Sequence, residues 1–371
     1  MIDVVTNKTV LYFLLILVLS QAARAGKISL KEDIADGYLD QYSKIEAAFI
    51  LSGVTDADSL QHYLAWYDQL LSKIKNFSFD FDDPTGSART VFMYLHSEWL
   101  KTYALESTTV ADIVRAREFN CVAATILYNL ICEDLGWSCE AFETPTHVYT
   151  IFNNLSENLL VENTSQMGFD IMKNLKAYSK YLAQYYPESE VLRIGLDKLY
   201  YHENSKGRVI TNTELLGLLA YNRAYLARKK KEYKSAYDYV LLAQQFNEHS
   251  TSNVNFEIGL YYAWGGQLAR QNDFRAAFSV FADGYYRYPD NQDFRKNTLI
   301  SFYRSLKENW LKKDWQATAG LIDEIRVLEI LQERDRQTMR QMLLDWQHYF
   351  AAKNDPQTVS QIMQYLQIFG G

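Results

Sequence analysis

Between Asp33 and about Leu105, apolar residues recur three and four apart. In SLQHYLAWYDQLLSKI they fall at Leu60, Tyr63, Leu64, Tyr67, Leu70 and Leu71, which predicts amphipathic helices. FSFDFDDPTG interrupts them, with Phe and Asp alternating before Pro84 and Gly86. It reads as a solvated acidic loop, since its aspartates lack the spacing of a calcium motif. CVAATILYNLICEDLG, residues 121–136, is apolar on most sides, follows Asn120, a favoured N-cap, and closes at Gly136. Its polar residues Thr125, Asn129 and Glu133 fall four apart, predicting a central buried helix with one narrow wet stripe. From Trp137 to Thr164 the period shortens. CEAFET, HVYTIF and NLLVENT are rich in Val, Ile, Tyr, Phe or Thr and are separated by Pro145 or by NNLSEN, which predicts sheet strands. Beyond about Ser189 the pattern is helical to the end.

That last part repeats. KEYKSAYDYVLLA, NDFRAAFSVFADG, KDWQATAGLIDEI and NDPQTVSQIMQYL share an acidic residue, usually an aromatic one, then a small or β-branched one at Ala236, Ala277, Thr318 and Val359. The spacings 277−236, 318−277 and 359−318 are all 41. Four residues on, Val240, Phe281, Ile322 and Met363 extend one apolar face. Gly265, Ala277, Phe281, Gly284 and Pro289 make the second unit resemble a tetratricopeptide repeat, lengthened from that family's usual 34 residues. The resemblance implies an all-α solenoid of about four helix pairs, a surface type that binds proteins or peptides.

Composition narrows the partners. Hydrophobic residues make up 48%, which excludes a disordered chain, and the net charge of −7 leaves no basic footprint for nucleic acid. Lys229-Lys230-Lys231 reads as a solvated turn. At the N-terminus, Lys8, the apolar stretch Val10 to Leu19 and the site Ala23-Arg24-Ala25 are read as a signal peptide cut after Ala25, with an uncleaved anchor as the alternative. No later segment reaches the roughly 20 apolar residues of a membrane span. The expectation is an exported protein, periplasmic or secreted, without stable membrane insertion after cleavage. The remaining 346 residues, 371 minus 25, are enough for two domains.

Cys121 occupies the first turn of its helix, where the dipole and unpaired N–H groups favour an anion and can hold an oxyanion. His147 opens a strand just after Pro145, so a neutral imidazole there can take a thiol proton. Glu162 or Asn163 can accept the other ring N–H; on a strand they point to opposite faces, so only one serves. The default for His62, His96, His202, His249 and His348 is structural. Neither paired cysteines nor paired histidines occur at zinc spacing, and neither metal nor cofactor is expected. An odd count of 3 cysteines leaves one thiol over, taken as Cys121, while Cys132 and Cys139 are either bridged or reduced and buried.

NCVAATILYNLICEDLGW, then ETPTHVYTIF, then LLVENTS resembles the transglutaminase-like branch of the papain-type cysteine enzymes, over roughly residues 85 to 170. The resemblance implies an α+β fold in which Cys121 is the nucleophile, His147 the base and Glu162 the orienting acid. That family more often has Asp in the third role, and relatives with an amide there keep Asn163 open. The expected organisation is a signal peptide over 1–25, a transglutaminase-like domain with a helical lead-in over 26–189, and tetratricopeptide-like repeats over 190–371. The expected function is acyl transfer through a Cys thioester on protein or peptide amides, as peptidase, amidase or acyltransferase, with the repeats binding a protein partner. The rival expectation is a non-catalytic periplasmic scaffold that binds proteins through the repeats.

Overall fold

The change of period after Trp137 is an antiparallel sheet in the computed structural model, which describes residues 29–369 except 81, 154–157 and 172–174. The expected signal peptide lies outside the described residues. Helices α1 (Leu30–Asp33), α2 (Lys44–Leu51), α3 (Ala57–Lys75) and α4 (Pro84–Glu98) come first. Then follow β1 (Thr102–Tyr103), α5 (Val110–Ala116), β2 (Glu118–Phe119) and α6 (Cys121–Asp134). Side chains cap these helices: Ser43 starts α2, Asp56 starts α3 and Asp83, from the acidic loop, accepts the Gly86 N–H to start α4. The sheet is β3 (Cys139–Glu143), β4 (Val148–Asn153), β5 (Asn158–Val161) and β6 (Arg208–Ile210), in the order β5-β4-β3-β6. Between β5 and β6 lie α7 (Leu175–Leu182), α8 (Glu188–Ile194) and α9 (Leu199–Asn204). The sequence pattern missed β6, because three residues are too few to show a period.

Alternation along β4 divides the sheet's two faces. Val148 and Phe152 join a large core with α6, whereas Tyr149 joins Leu160, Tyr178, Leu182 and Leu199 on the other side. The central helix α6 is buried as expected, but its polar stripe is wet only at its end, where Glu133 is exposed. Thr125 and Asn129 are fully buried and face β4: Thr150 donates to Asn129 Oδ1, and Asn129 Nδ2 donates to Asn212 at 2.8 Å. Over Val122 to Cys132 every residue of the helix is buried, so the polar residues of that stretch become internal clamps.

The helices that follow are α10 (Asn212–Lys229), α11 (Tyr233–Phe246), α12 (Thr251–Arg270), α13 (Phe274–Arg287), α14 (Gln292–Lys312), α15 (Trp315–Val327), α16 (Glu333–Ala352) and α17 (Pro356–Ile368). Contacts divide the chain into Met1–Phe256 and Glu257–Gly371, whereas the sequence pattern set the expected boundary at 189/190. Leu215, Leu216 and Leu219 of α10 share the core of α6, which draws that helix into the first unit. In the second unit, Phe278, Phe302, Ile322, Leu343, Trp346 and Ile362 form a separate core. The fold is α+β, mostly helical around a small antiparallel sheet.

The 41-residue register has a backbone cause. Lys231, Asn272, Lys313 and Asn354 all have positive φ, and each directly precedes the N-cap of a helix. Their spacings, 272−231, 313−272 and 354−313, are again 41. The acidic residue of the motif is that N-cap: Asp273, Asp314 and Asp355 accept the N–H of Ala276, Ala317 and Thr358. Ala236, Ala277 and Thr318 are fully buried, as are Val240 and Ile322. The last unit departs from the expected face, since Met363 is 49% exposed and the buried position moves one residue back to Ile362.

Candidate active site

Asn120 sets the start of α6. Its side chain accepts the Ala123 N–H at 3.1 Å, so Cys121 becomes the first helical residue. The N–H groups of Cys121 and Val122 then have no acceptor within the helix. Cys121 is half-buried, at the edge of the core rather than inside it.

His147 is placed by a hairpin. Strands β3 and β4 pair to Glu143↔Val148, leaving Thr144 to His147 as the connecting turn. Thr144 Oγ1 accepts the His147 N–H at 3.0 Å, while the Thr144 N–H donates to the His147 carbonyl at 2.8 Å. Thr146 donates to Glu203 at 2.6 Å, which ties the turn to α9.

The same sheet sets Glu162 and Asn163 on opposite faces. Thr150 lies opposite Val161, so continuing the register puts Glu162 opposite Tyr149 and Asn163 opposite Val148. Glu162 therefore shares a face with His147, and its Oε2 lies 2.6 Å from His147 Nε2. Both side chains are completely buried. Asn163 turns toward α6, donating to Thr150 at 2.8 Å and to Thr125 at 3.2 Å. Both residues sit in the turn just after β5 rather than within it.

Nδ1 of His147 makes no hydrogen bond of full geometry among the described residues. Burial opposes the imidazolium. The Glu162 charge and the nearby Cys121 sulfur, acting by charge and by hydrogen bond, outweigh it and hold His147 well above its usual range.

Glu162 is held in turn. Its Oε1 accepts the Thr164 N–H at 3.0 Å and the Thr164 hydroxyl. From Thr164 a chain of hydroxyls runs to Tyr181 at 2.6 Å, Tyr185 at 2.8 Å and Tyr103 at 3.0 Å. Tyr181 and Tyr185 also pack on the imidazole, with ring centroids 5.6 and 5.8 Å away. Burial, then the Glu162 charge, pushes the Tyr181 hydroxyl up. Sequence reasoning missed these tyrosines; the available signal was Tyr178, Tyr181 and Tyr185 at helical spacing of three and four.

Cys121 and His147 are both among the residues that line a cleft of about 610 Å³. Its lining includes Asn120, Val122, the Thr144 to Val148 turn, residues of α10 and the first residues of α12. At its rim Lys229 pairs with Glu106 at 2.6 Å. Cys132 and Cys139 are both buried thiols rather than a bridge. They adjoin each other: burial, then Cys139, raises the Cys132 thiol well above its usual range, while Cys139 donates to the Asn129 carbonyl at 3.3 Å. Among the described residues no three His, Cys, Asp or Glu side chains converge where a metal could sit. Nor is any described helix long and apolar enough to cross a membrane.

Of the histidines read as structural, His96 is buried between Phe92 and Phe119, while His62, His202, His249 and His348 lie apart from the cleft lining. No protein-family model matches the chain, and no curated protein does.

Proposed function

We propose that this protein is an exported, transglutaminase-like thiol enzyme that cleaves or exchanges protein or peptide amide bonds. One observation carries the reading. A helix-start thiol and an imidazole line one cleft, with a carboxylate 2.6 Å from the imidazole. Cys121 Sγ attacks the amide carbonyl, and the first-turn N–H groups of α6 hold the developing oxyanion. The carbon–nitrogen bond breaks as His147 gives its proton to the leaving amine, which leaves a thioester on Cys121. Water or a second amine then attacks the thioester, losing its proton to His147 and freeing the thiolate. Glu162 orients the imidazole and balances its charge throughout.

The hairpins from α10 onward are proposed to be a tetratricopeptide-like solenoid that binds a protein partner, a reading supported by the 41-residue recurrence of left-handed residue and capping acid. Export to the periplasm or exterior rests on the signal-like N-terminus alone.

The test is alkylation of Cys121 by iodoacetamide across pH, in wild type and His147→Ala. A fast, pH-dependent reaction lost in the variant is expected. Equal, slow labelling in both would leave only the scaffold reading standing.

A further inference from the structure

The cleft lining includes two amide side chains, each with a polar atom for which the chemistry above has no use. Asn253, at the start of α12, is 1% exposed and lines the cleft. Its Nδ2 donates to the Asn247 carbonyl at 3.3 Å, but its Oδ1 has no partner among the described residues. Asn222 of α10 lines the same cleft, and its buried Nδ2 has no partner either. Asn129 and Asn212, buried amides outside the cleft lining, bond to each other, and Asn212 Nδ2 also reaches the Cys139 carbonyl at 3.2 Å. An unpaired buried amide group costs free energy, so an orphan donor and an orphan acceptor in one cleft lining imply a ligand that supplies their complements.

We propose that Asn222 and Asn253 form an amide-recognition subsite for a polypeptide main chain lying along the cleft. Asn222 Nδ2 donates to a peptide carbonyl and Asn253 Oδ1 accepts a peptide N–H, the two groups that every extended residue presents. Leu218, Tyr221 and Tyr225 stand on the same helix and lining, and receive an apolar side chain of that segment. This subsite rests on the thiol-enzyme reading and adds to it: the cleft selects a main chain near the reacting amide, and a bare carboxamide would gain nothing from these two groups.

The experiment compares two reagents carrying the same warhead, chloroacetone and acetyl-Ala-Ala-Phe chloromethyl ketone, by their rates of modifying Cys121 in the full chain. Wild type should prefer the peptide reagent. In Asn222→Leu that preference should fall about tenfold, the equivalent of one lost hydrogen bond in a desolvated site. A peptide reagent N-methylated at its amides should lose the preference on wild type, which keeps the test open if the variant fails to fold. An undiminished preference in Asn222→Leu, or with the methylated reagent, overturns the subsite. Chloroacetone reacting no faster with wild type than with His147→Ala overturns the thiol reading itself, and the subsite with it.

Discussion

His147 Nε2 and Glu162 Oε2 meet at 2.6 Å with both side chains fully buried, so neither charge has water to fall back on. Glu162→Gln keeps an acceptor but removes the charge that favours the imidazolium. Alkylation of Cys121 is expected to slow on the order of 10²-fold, within the range for losing acid–base assistance. The alkaline limb of amide turnover, where His147 loses the proton it gives the leaving amine, should also move to lower pH, because His147 is held up by Glu162. Asn163→Ala should change the rate less, since it bonds to Thr125 and Thr150 and not to the imidazole. The reverse ranking would remove Glu162 from its role.

Cys121→Ala should abolish turnover while shifting the thermal midpoint little, because the residue is half-buried at the core's edge. Calorimetry beside an amide-hydrolysis assay checks both halves. Residual turnover above a few percent would rule out this nucleophile.

Two histidines give the stability of the first unit opposite pH dependences. Burial pushes His96 down to about 4, below the unfolded value of about 6.5, so its contribution is complete above 6.5 and fades as pH falls toward 4. His147 is raised in the fold, so its contribution is complete below about 6.5 and fades as pH climbs through the folded value. His96→Leu should therefore flatten the acid limb of denaturant-derived stability, by up to about 3 kcal/mol at pH 4. An unchanged acid limb would show that His96 is hydrated in the fold.

Gly168 lies where a Cβ would sit 1.9 Å from the Glu162 carbonyl oxygen. Gly168→Ala must displace the turn that carries Glu162. A stability loss of about 1–3 kcal/mol is expected, together with slower alkylation of Cys121. A variant as stable and as reactive as wild type would mean that this turn yields freely.

The left-handed residue of each repeat offers a separate check. Asn272→Gly should raise the thermal midpoint and Asn272→Val should lower it, because a β-branched residue fits poorly at a φ of 61°. Equal midpoints for the two variants would contradict that backbone.

The periodicities carried much of this. Alternation located β3, β4 and β5, and the Asn120 cap located the start of α6, because both signals are local. The choice of Glu162 over Asn163 depends on strand pairing with Tyr149 and Val148, which no single strand contains. Thr125 and Asn129 looked wet because periodicity shows a polar stripe without showing what covers it. The tyrosine chain joins Tyr103 to Tyr185, 82 residues apart, and so leaves no local trace beyond helical spacing.

Helix α10 serves two masters. Leu215 and Leu219 are buried in the core against α6, while Leu218, Tyr221 and Asn222 line the cleft. The first helix of the repeating region is thus part of the candidate reaction chamber. Such a protein cannot evolve like a cassette, with one recognition arm unplugged and another fitted: any exchange that replaced α10 would rebuild the chamber as well. On the proposed reading, recognition and reaction would consequently be inherited together.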